Sequence, residues 1–407
     1  MFRPLLILLL FFLLAPGAAP GKNRSVSLPS VAAEVRKTNP QLSAARLHIA
    51  EARARVTGAG RLANPTLEVA GSSDGDAREY GVEVGISQAF PITDRLQREK
   101  DVSLAQVRVA EAEVAEVERQ LVARARAAVI EVLASRELKK MRQEEAKLAT
   151  RLADFIADAA QKGEGSLLDA SQARLGSVQH VLEIRQLDVR ETSATGELKK
   201  LLGAPASSRM EVTGSLAVPH VPASETPAVE RRPDYRAAVL QAEVAEREVE
   251  LEKSKSRQDF EAGIFAEVDR EEDAPEGLDT EGMIGVRVSI PLPFWDRNEG
   301  AIEAARAKRS RLAKQAEAVG SEIRNEIATA RSLMEAHAGI VAEIDRDLLP
   351  VAQQQVELSE HSFRDGHGDL QAVLRARDQQ IELRTARLEA LREFHLARAA
   401  YLAASGN

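Results

Sequence analysis

Two stretches break an otherwise helical pattern, and they limit what this chain can fold into. Residues 286–300 read VRVSIPLPFWDRNEG, and residues 82–98 read VEVGISQAFPITDRLQR. Each alternates apolar and polar residues, which is the two-residue period of a β-strand. Each then ends in Pro-x-x-Asp-Arg, at Pro91 with Asp94-Arg95 and at Pro293 with Asp296-Arg297. Charged, alanine-rich sequence flanks both. Charged residues make up 29% of the 407 and aromatics only 3%. Such a composition predicts long helices rather than a thick globular core.

The helical sequence has its own period. Val107, Ala110, Val114, Val117 and Leu121 are spaced alternately by three and four, the seam of a coiled coil. No proline falls between Pro91 and Pro205. A helix from about Asp101 to Gln161 is therefore expected, about 90 Å long at ~1.5 Å per residue. KGEGS at 162–166 breaks it. A second helix from Leu167 to Leu202 ends at Gly203-Ala204-Pro205, a glycine cap followed by proline.

This plan occurs twice. Pro40 matches Pro233 and Leu47 matches Leu240. Pro91 matches Pro293, and Gly163 and Gly165 match Gly366 and Gly368. One supersecondary unit is repeated: helix, strand pair, long helix, glycine turn, helix. The expected organisation is a signal peptide at 1–19, a first repeat at 20–209, a linker at 210–227 and a second repeat at 228–407. The strand pairs are placed at 66–90 and 259–292, and the turns at 162–166 and 365–369. The signal peptide is read from Arg3, the apolar run 5–14 and the small residues that follow. That run is too short for a membrane-spanning helix. No cysteine follows it, so no lipid anchor is expected there.

Tyr80, Val82, Val84 and Ile86 share one strand face; Ile284, Val286, Val288 and Ile290 share another. Such alternation is the pattern of a transmembrane barrel strand. An ordinary soluble hairpin lying on a helix is the competing reading. Four strands cannot close a barrel, and an open edge in lipid leaves backbone groups unpaired at several kcal/mol each. Three copies would give twelve strands. Pro91, Pro291 and Pro293 mark strand ends. Asp94 and Asp296 are expected to cap the helices that follow. Each Pro-x-x-Asp-Arg thus reads as a joint where strand becomes helix.

These residues resemble the outer-membrane efflux protein (TolC) family over nearly the whole mature length. VSIPLPFWDRNEG is most similar to the branch serving heavy-metal cation pumps. The resemblance implies a mainly α fold with a transmembrane β-barrel: a homotrimer whose twelve strands continue into an α-barrel tunnel of antiparallel coiled-coil helices. It implies an exit duct of a tripartite RND efflux system in the outer membrane of a Gram-negative-type cell. A periplasmic adaptor, an inner-membrane pump and outer-membrane lipid are the implied partners. Drug efflux or type I secretion are alternatives within that reading, and a periplasmic coiled-coil adaptor or scaffold is one outside it. The turns Gly163, Gly165, Gly366 and Gly368 lie at the opposite end of the long helices from the strands. They would therefore meet the adaptor. Arg375 stands where relatives commonly carry an acidic residue.

No catalytic, cofactor or metal site is expected. The seven histidines form no HExxH, there is no cysteine, and no phosphate loop is present. The net charge of −8 gives no reason to expect a nucleic-acid partner. Residues 269–281 carry seven acidic residues and one arginine, and are expected to form an external loop.

Overall fold

Local sequence rules account for most element boundaries. The computed structural model describes residues 24–75, 78–163, 165–222, 229–273, 277–365 and 367–406. The expected signal peptide, Glu164, Gly366 and part of the expected linker lie outside the described residues. The helices are α1 (Val31–Thr38), α2 (Pro40–Gly58), α3 (Arg95–Gln161), α4 (Leu167–Leu201), α5 (Pro233–Ser254), α6 (Glu299–Glu343), α7 (Leu349–Arg364) and α8 (Leu370–Ala404). The strands are β1 (Arg24–Ser27), β2 (Thr66–Ser73), β3 (Tyr80–Phe90), β4 (Met210–Thr213), β5 (Phe260–Asp273) and β6 (Gly277–Ser289).

Contacts divide the chain into two units, and the division does not follow the repeat. One unit comprises 1–40, 124–219 and 339–396; the other comprises 41–123, 220–338 and 397–407. The helix α3 contributes to both.

In the first unit, α4 runs antiparallel to α3. Arg124 pairs with Glu197 at 2.5 Å, Arg136 with Glu191 at 2.7 Å and Lys139 with Asp188 at 2.5 Å. Numbers rise on one helix as they fall on the other. The second repeat does the same, with Arg377 on Glu360 and Arg387 on Asp345. Its first arm is not one α-helix, however. A π-helical turn, Ile344–Leu348, joins α6 to α7, and Leu349 N–H donates to Ile344 O. Pro350 follows immediately and has no N–H to give. A proline inside a helix frees a carbonyl and crowds the preceding turn, and the wider turn accommodates it.

The C-terminus of α4 is closed from outside. Thr38 Oγ1 and Asn39 Nδ2 donate to Leu202 O and Leu201 O at 2.8 and 2.6 Å, and Arg24 Nη1 donates to Leu202 O at 3.3 Å. These satisfy carbonyls that a helix end leaves orphaned. Gly203 follows at φ +58, with Thr38 O 2.7 Å from where a Cβ would sit. Next to it, β1 pairs in parallel with β4. The first four residues of the expected linker, Met210–Thr213, are therefore a strand.

In the second unit, α3 begins at Arg95, six residues before the expected start. Of the expected seam, Ala110, Val114 and Leu121 are buried and Val107 and Val117 half-buried. Val102 and Ala105 pack with Val244 and Leu251 of α5. The Arg232 side chain, 2% exposed, pairs with Asp234 at 2.6 Å and Glu326 at 2.9 Å. It also donates to Ala404 O at 3.2 Å, tying the end of α8 to the start of α5. Burial disfavours the charged Asp234 carboxylate, but Arg232 beside it holds its pKa below the ordinary value.

The same unit holds a four-stranded antiparallel sheet in the order β2-β3-β5-β6. The two hairpins of the repeat meet through β3 and β5, with Phe90 opposite Phe260 and Tyr80 opposite Arg270. Both outer strands have a free edge among the described residues. The first strand pair has the expected limits, 66–90, and the second is shorter than expected at its end, since β6 ends at Ser289, before Pro291. The expected 269–281 loop is mostly paired strand: Asp269 faces Glu281 and Asp273 faces Gly277. Its connecting residues 274–276 lie outside the described residues.

Candidate functional site: a two-faced sheet and the helix turns

The sheet carries its apolar side chains on the bare face. Tyr80, Val82, Val84 and Ile86 are exposed. So are Ile264 and Val268 on β5 and Val288 on β6, while Ile284 is 86% and Val286 78% exposed. The other face is polar and internally bonded. Arg287 pairs with Glu83 at 2.8 Å and Glu68 at 3.3 Å. Ser87 Oγ donates to Glu68 at 3.1 Å and to Glu261 at 2.5 Å. The Arg287 guanidinium also lies 4.8 Å from the Phe265 ring centre. That ring covers Gly285, where a Cβ would come within 2.5 Å of it. A soluble hairpin would turn this arrangement inside out, placing valines and isoleucines on a helix and charges in water.

The two joints differ. At the first, Asp94 directly precedes α3 and pairs with Arg98 at 2.9 Å. The hydrogen bond from Arg98 holds its carboxyl below the ordinary pKa. Thr93 Oγ1 donates to Ser254 O at 2.9 Å, fixing the joint to the end of α5. At the second, Asp296 lies three residues before α6 and does not cap it. It accepts the Asn298 N–H at 2.8 Å. Asn298 occupies the cap position: its carbonyl accepts from Ile302 N–H at 3.0 Å. Its φ is +62, a conformation asparagine tolerates better than most residues. Its Nδ2 donates to Glu252 O and Oε2 at 2.9 and 2.8 Å. The expectation for Asp296 is corrected for that reason: the left-handed residue shifts the helix start by two positions.

At the first turn, Gly163 has φ +78 and open space around its Cβ position. Gly165 instead packs close, with Ala160 N 3.3 Å from its Cβ position. At the second turn, Gly368 sits tighter still, with Phe363 N 2.7 Å from where a Cβ would sit. Gly366 lies outside the described residues. Two caps complete the turns. Ser166 Oγ accepts from Leu168 and Asp169 N–H at 3.2 and 3.4 Å, and Asp369 accepts from Gln371 N–H at 3.1 Å. The cap signal was present in Ser166-x-x-Asp169. Behind the turns, Ala153 and Ile156 of α3, Ala173 of α4 and Leu370 of α8 form one apolar cluster.

Further along the same unit, a cleft of about 610 Å³ opens between α3, α4 and α8. Arg142, Glu145, His180, Glu183, Asp378 and Arg384 line it. The Glu145 side chain is 7% exposed, and among the described residues neither carboxylate oxygen has a hydrogen-bond partner. Arg142 lies 3.5 Å away but also pairs with Glu183 at 3.3 Å and donates to Thr385 at 3.0 Å. Burial pushes the Glu145 pKa up, against the pull of Arg142. Burial raises Asp378 as well. An acid raised on folding stabilises below its unfolded pKa, and that contribution is lost as pH rises through the folded value. Glu145→Gln is expected to raise the thermal midpoint at pH 7–8 and to leave it nearly unchanged near pH 4. The amide removes the charge that burial penalises while keeping the shape of the side chain, and a buried charge costs more than a buried neutral polar group. Melting curves at the two pH values check this; equal shifts at both would contradict it. Among the described residues no group of three side chains could hold a metal ion.

The matches to known proteins decide the family. The family model described as outer membrane efflux protein matches residues 31–204 and 227–407. This chain belongs to the outer membrane efflux protein family. Membership places it in the outer membrane with a large periplasmic portion, as part of an efflux route and not as an enzyme. The cobalt-zinc-cadmium resistance protein CzcC of Cupriavidus metallidurans is 28% identical over 251 residues. That alignment covers 58% of this chain and 57% of CzcC, so it spans little more than half of that relative. Among solved structures, CusC is similar with a TM-score of 0.77 at 17% identity, covering 93% of this chain and 92% of CusC. The outer membrane protein VceC of Vibrio cholerae is similar at 0.73 and 15% identity, covering 93% and 96%. At those identities the likeness concerns the fold, which is the mainly helical one of efflux channels in this family.

Proposed function

We propose that three copies of this chain form the exit duct of a tripartite efflux pump and pass heavy-metal cations passively across the outer membrane. The inside-out sheet carries this reading. Tyr80–Phe90 is 11 residues long. At ~3.3 Å per residue and a tilt of ~40°, it spans roughly 28 Å, close to the ~25 Å apolar band of membrane barrels. The bare valines and isoleucines fit lipid, and the Arg287–Glu83–Glu68 network fits a water-filled lumen. Each free sheet edge then pairs with a neighbouring copy, which satisfies backbone groups that lipid cannot.

The helices support the same assembly. Leu168, Leu175, Leu182 and Val189 of α4 recur every seven residues and are exposed, as are Ile340, Leu348, Val351 and Leu358 in the second repeat. Seams of this kind are buried when helices supercoil with partners. Gly163, Gly165, Gly366 and Gly368 mark the turns that an adaptor reaches. The likeness to CzcC favours metal cations over drugs as the cargo. Removing the gene from its host is the test. Sensitivity to cobalt, zinc or cadmium, restored by the intact gene, is expected; sensitivity to drugs alone would overturn the metal assignment.

The described ends of β5 and β6, Asp273 and Gly277, lie away from the joints, so the acidic sequence of 269–281 is taken to face outward in the assembled duct. Its field concentrates cations at the mouth. Neutralising Glu271, Glu272 and Asp273 together is expected to lower cation preference in planar-bilayer conductance, more at low salt than at high. Unchanged selectivity would show that the tip is merely solvated.

A further inference from the structure

The cleft between α3, α4 and α8 holds a carboxylate that the chain leaves without donors. Glu145 lines it, and among the described residues neither of its buried oxygens accepts a hydrogen bond. A charge taken out of water is costly unless donors replace the water. The neighbouring cations are engaged elsewhere. Arg142, 3.5 Å from Glu145, lies nearer to Glu183 of α4 at 3.3 Å and donates to Thr385 of α8 at 3.0 Å. His180 Nδ1 lies 3.4 Å from Glu183. Burial therefore raises the Glu145 pKa even though Arg142 pulls it down. The rest of the lining is of a different kind. Leu148 and Leu152 of α3 face the cleft with Leu374 and Ile381 of α8. On the α4 side stands Gly176, with open space at its Cβ position. A volume of about 610 Å³, apolar walls and a few polar groups make a site of small-molecule size.

We propose that this cleft binds an organic cation, a primary ammonium or guanidinium group on an apolar body, with the cationic end at Glu145. Such a group brings several N–H donors to a carboxylate that has none, and a charge-assisted hydrogen bond is the strong kind. Asp378, on α8, puts a second carboxylate in the lining. The apolar body lies along the leucines and Ile381. A metal ion fits less well, because among the described residues no group of three side chains could ligate one. An organic anion fits less well too. It would meet Glu145, and Arg375 and Arg384, the cations without Arg142's bonds, are exposed to water that screens them. The cleft is built by the helices of one chain, so its ligand is independent of the cargo that the duct carries.

A ligand that binds only the folded protein raises its melting midpoint as concentration rises. The full protein in mild detergent is melted at neutral pH with phenethylamine, and in parallel with phenethyl alcohol, phenylacetate and zinc chloride. Phenethylamine is expected to raise the midpoint, and the uncharged alcohol to need about tenfold more for the same shift, the loss of one charge-assisted bond. Glu145→Gln, compared with its own unliganded midpoint, should respond to amine and alcohol alike. Gly176→Leu fills the open α4 side without touching a charge and should block both. Equal shifts by amine and alcohol in the unaltered protein would overturn the proposal in favour of a plain apolar groove. A larger shift by phenylacetate would overturn it in favour of the arginines, and a zinc shift lost in Glu145→Gln would overturn it in favour of a metal. No shift by any probe would show the cleft filled in the assembled protein, and an amine shift that survives both variants would place binding elsewhere; either overturns it. None of these outcomes changes the metal sensitivity expected when the gene is removed, so the two readings fail separately.

Discussion

Val286→Arg is expected to abolish assembly in the outer membrane. Val286 is 78% exposed on β6, opposite Ile264, which in turn faces Ile86 near the middle of β3. A basic side chain at the bilayer midplane costs about 2–4 kcal/mol in a barrel. A trimer carries that cost three times while keeping the same strand pairing. The variant should therefore appear in the periplasm or as degraded protein, with little recovered in the outer-membrane fraction. Ser289→Lys, on the polar face beside Glu261, is the control and should assemble. Normal assembly of Val286→Arg would show that this face never meets lipid.

Gly163→Leu is expected to eliminate export while leaving trimer yield unchanged. Its Cβ position is open, so the variant meets no clash within the chain. Its φ of +78 costs a non-glycine residue about 1–2 kcal/mol, small for a helical unit of this size and confined to one turn. What a leucine does fill is the open space that an approaching backbone would occupy. Cross-linking to the adaptor should be lost together with export. Gly163→Asn, which tolerates the same backbone angle with less bulk, should retain more of both. Normal export from Gly163→Leu would leave the turns as chain reversals and nothing more.

The parts of this structure legible in sequence are those governed by short periods. Alternation from Ile284 to Ile290 placed β6, because a strand's faces repeat every two residues. The spacing of Ala110, Val114 and Leu121 placed the buried side of α3 in the same way. Gly203 and Pro205 located the end of α4, since few residues other than glycine close a helix in the left-handed conformation. The π-helical turn was not read from the sequence: Pro350 disturbs the helix there, but the width of the turn depends on how Ile344 to Leu348 are held by the rest of the helix. Asp296 misled because an aspartate three residues before a helix resembles a cap until the left-handed Asn298 is known. Glu145 shows the deeper limit. Nothing near it in sequence marks it as buried; its isolation arises from α4 and α8, which arrive from distant parts of the chain. The pairing of Arg24 with Met210 is equally remote, and four residues are too few to show a period.

The central claim is that one copy's sheet cannot be complete and that three copies complete it. Light scattering on the purified protein in mild detergent, corrected for bound detergent, counts the chains directly. Three chains per particle are expected, with loss of that species in Val286→Arg. A stable, folded monomer would contradict the account, because its two free sheet edges would then face lipid unpaired.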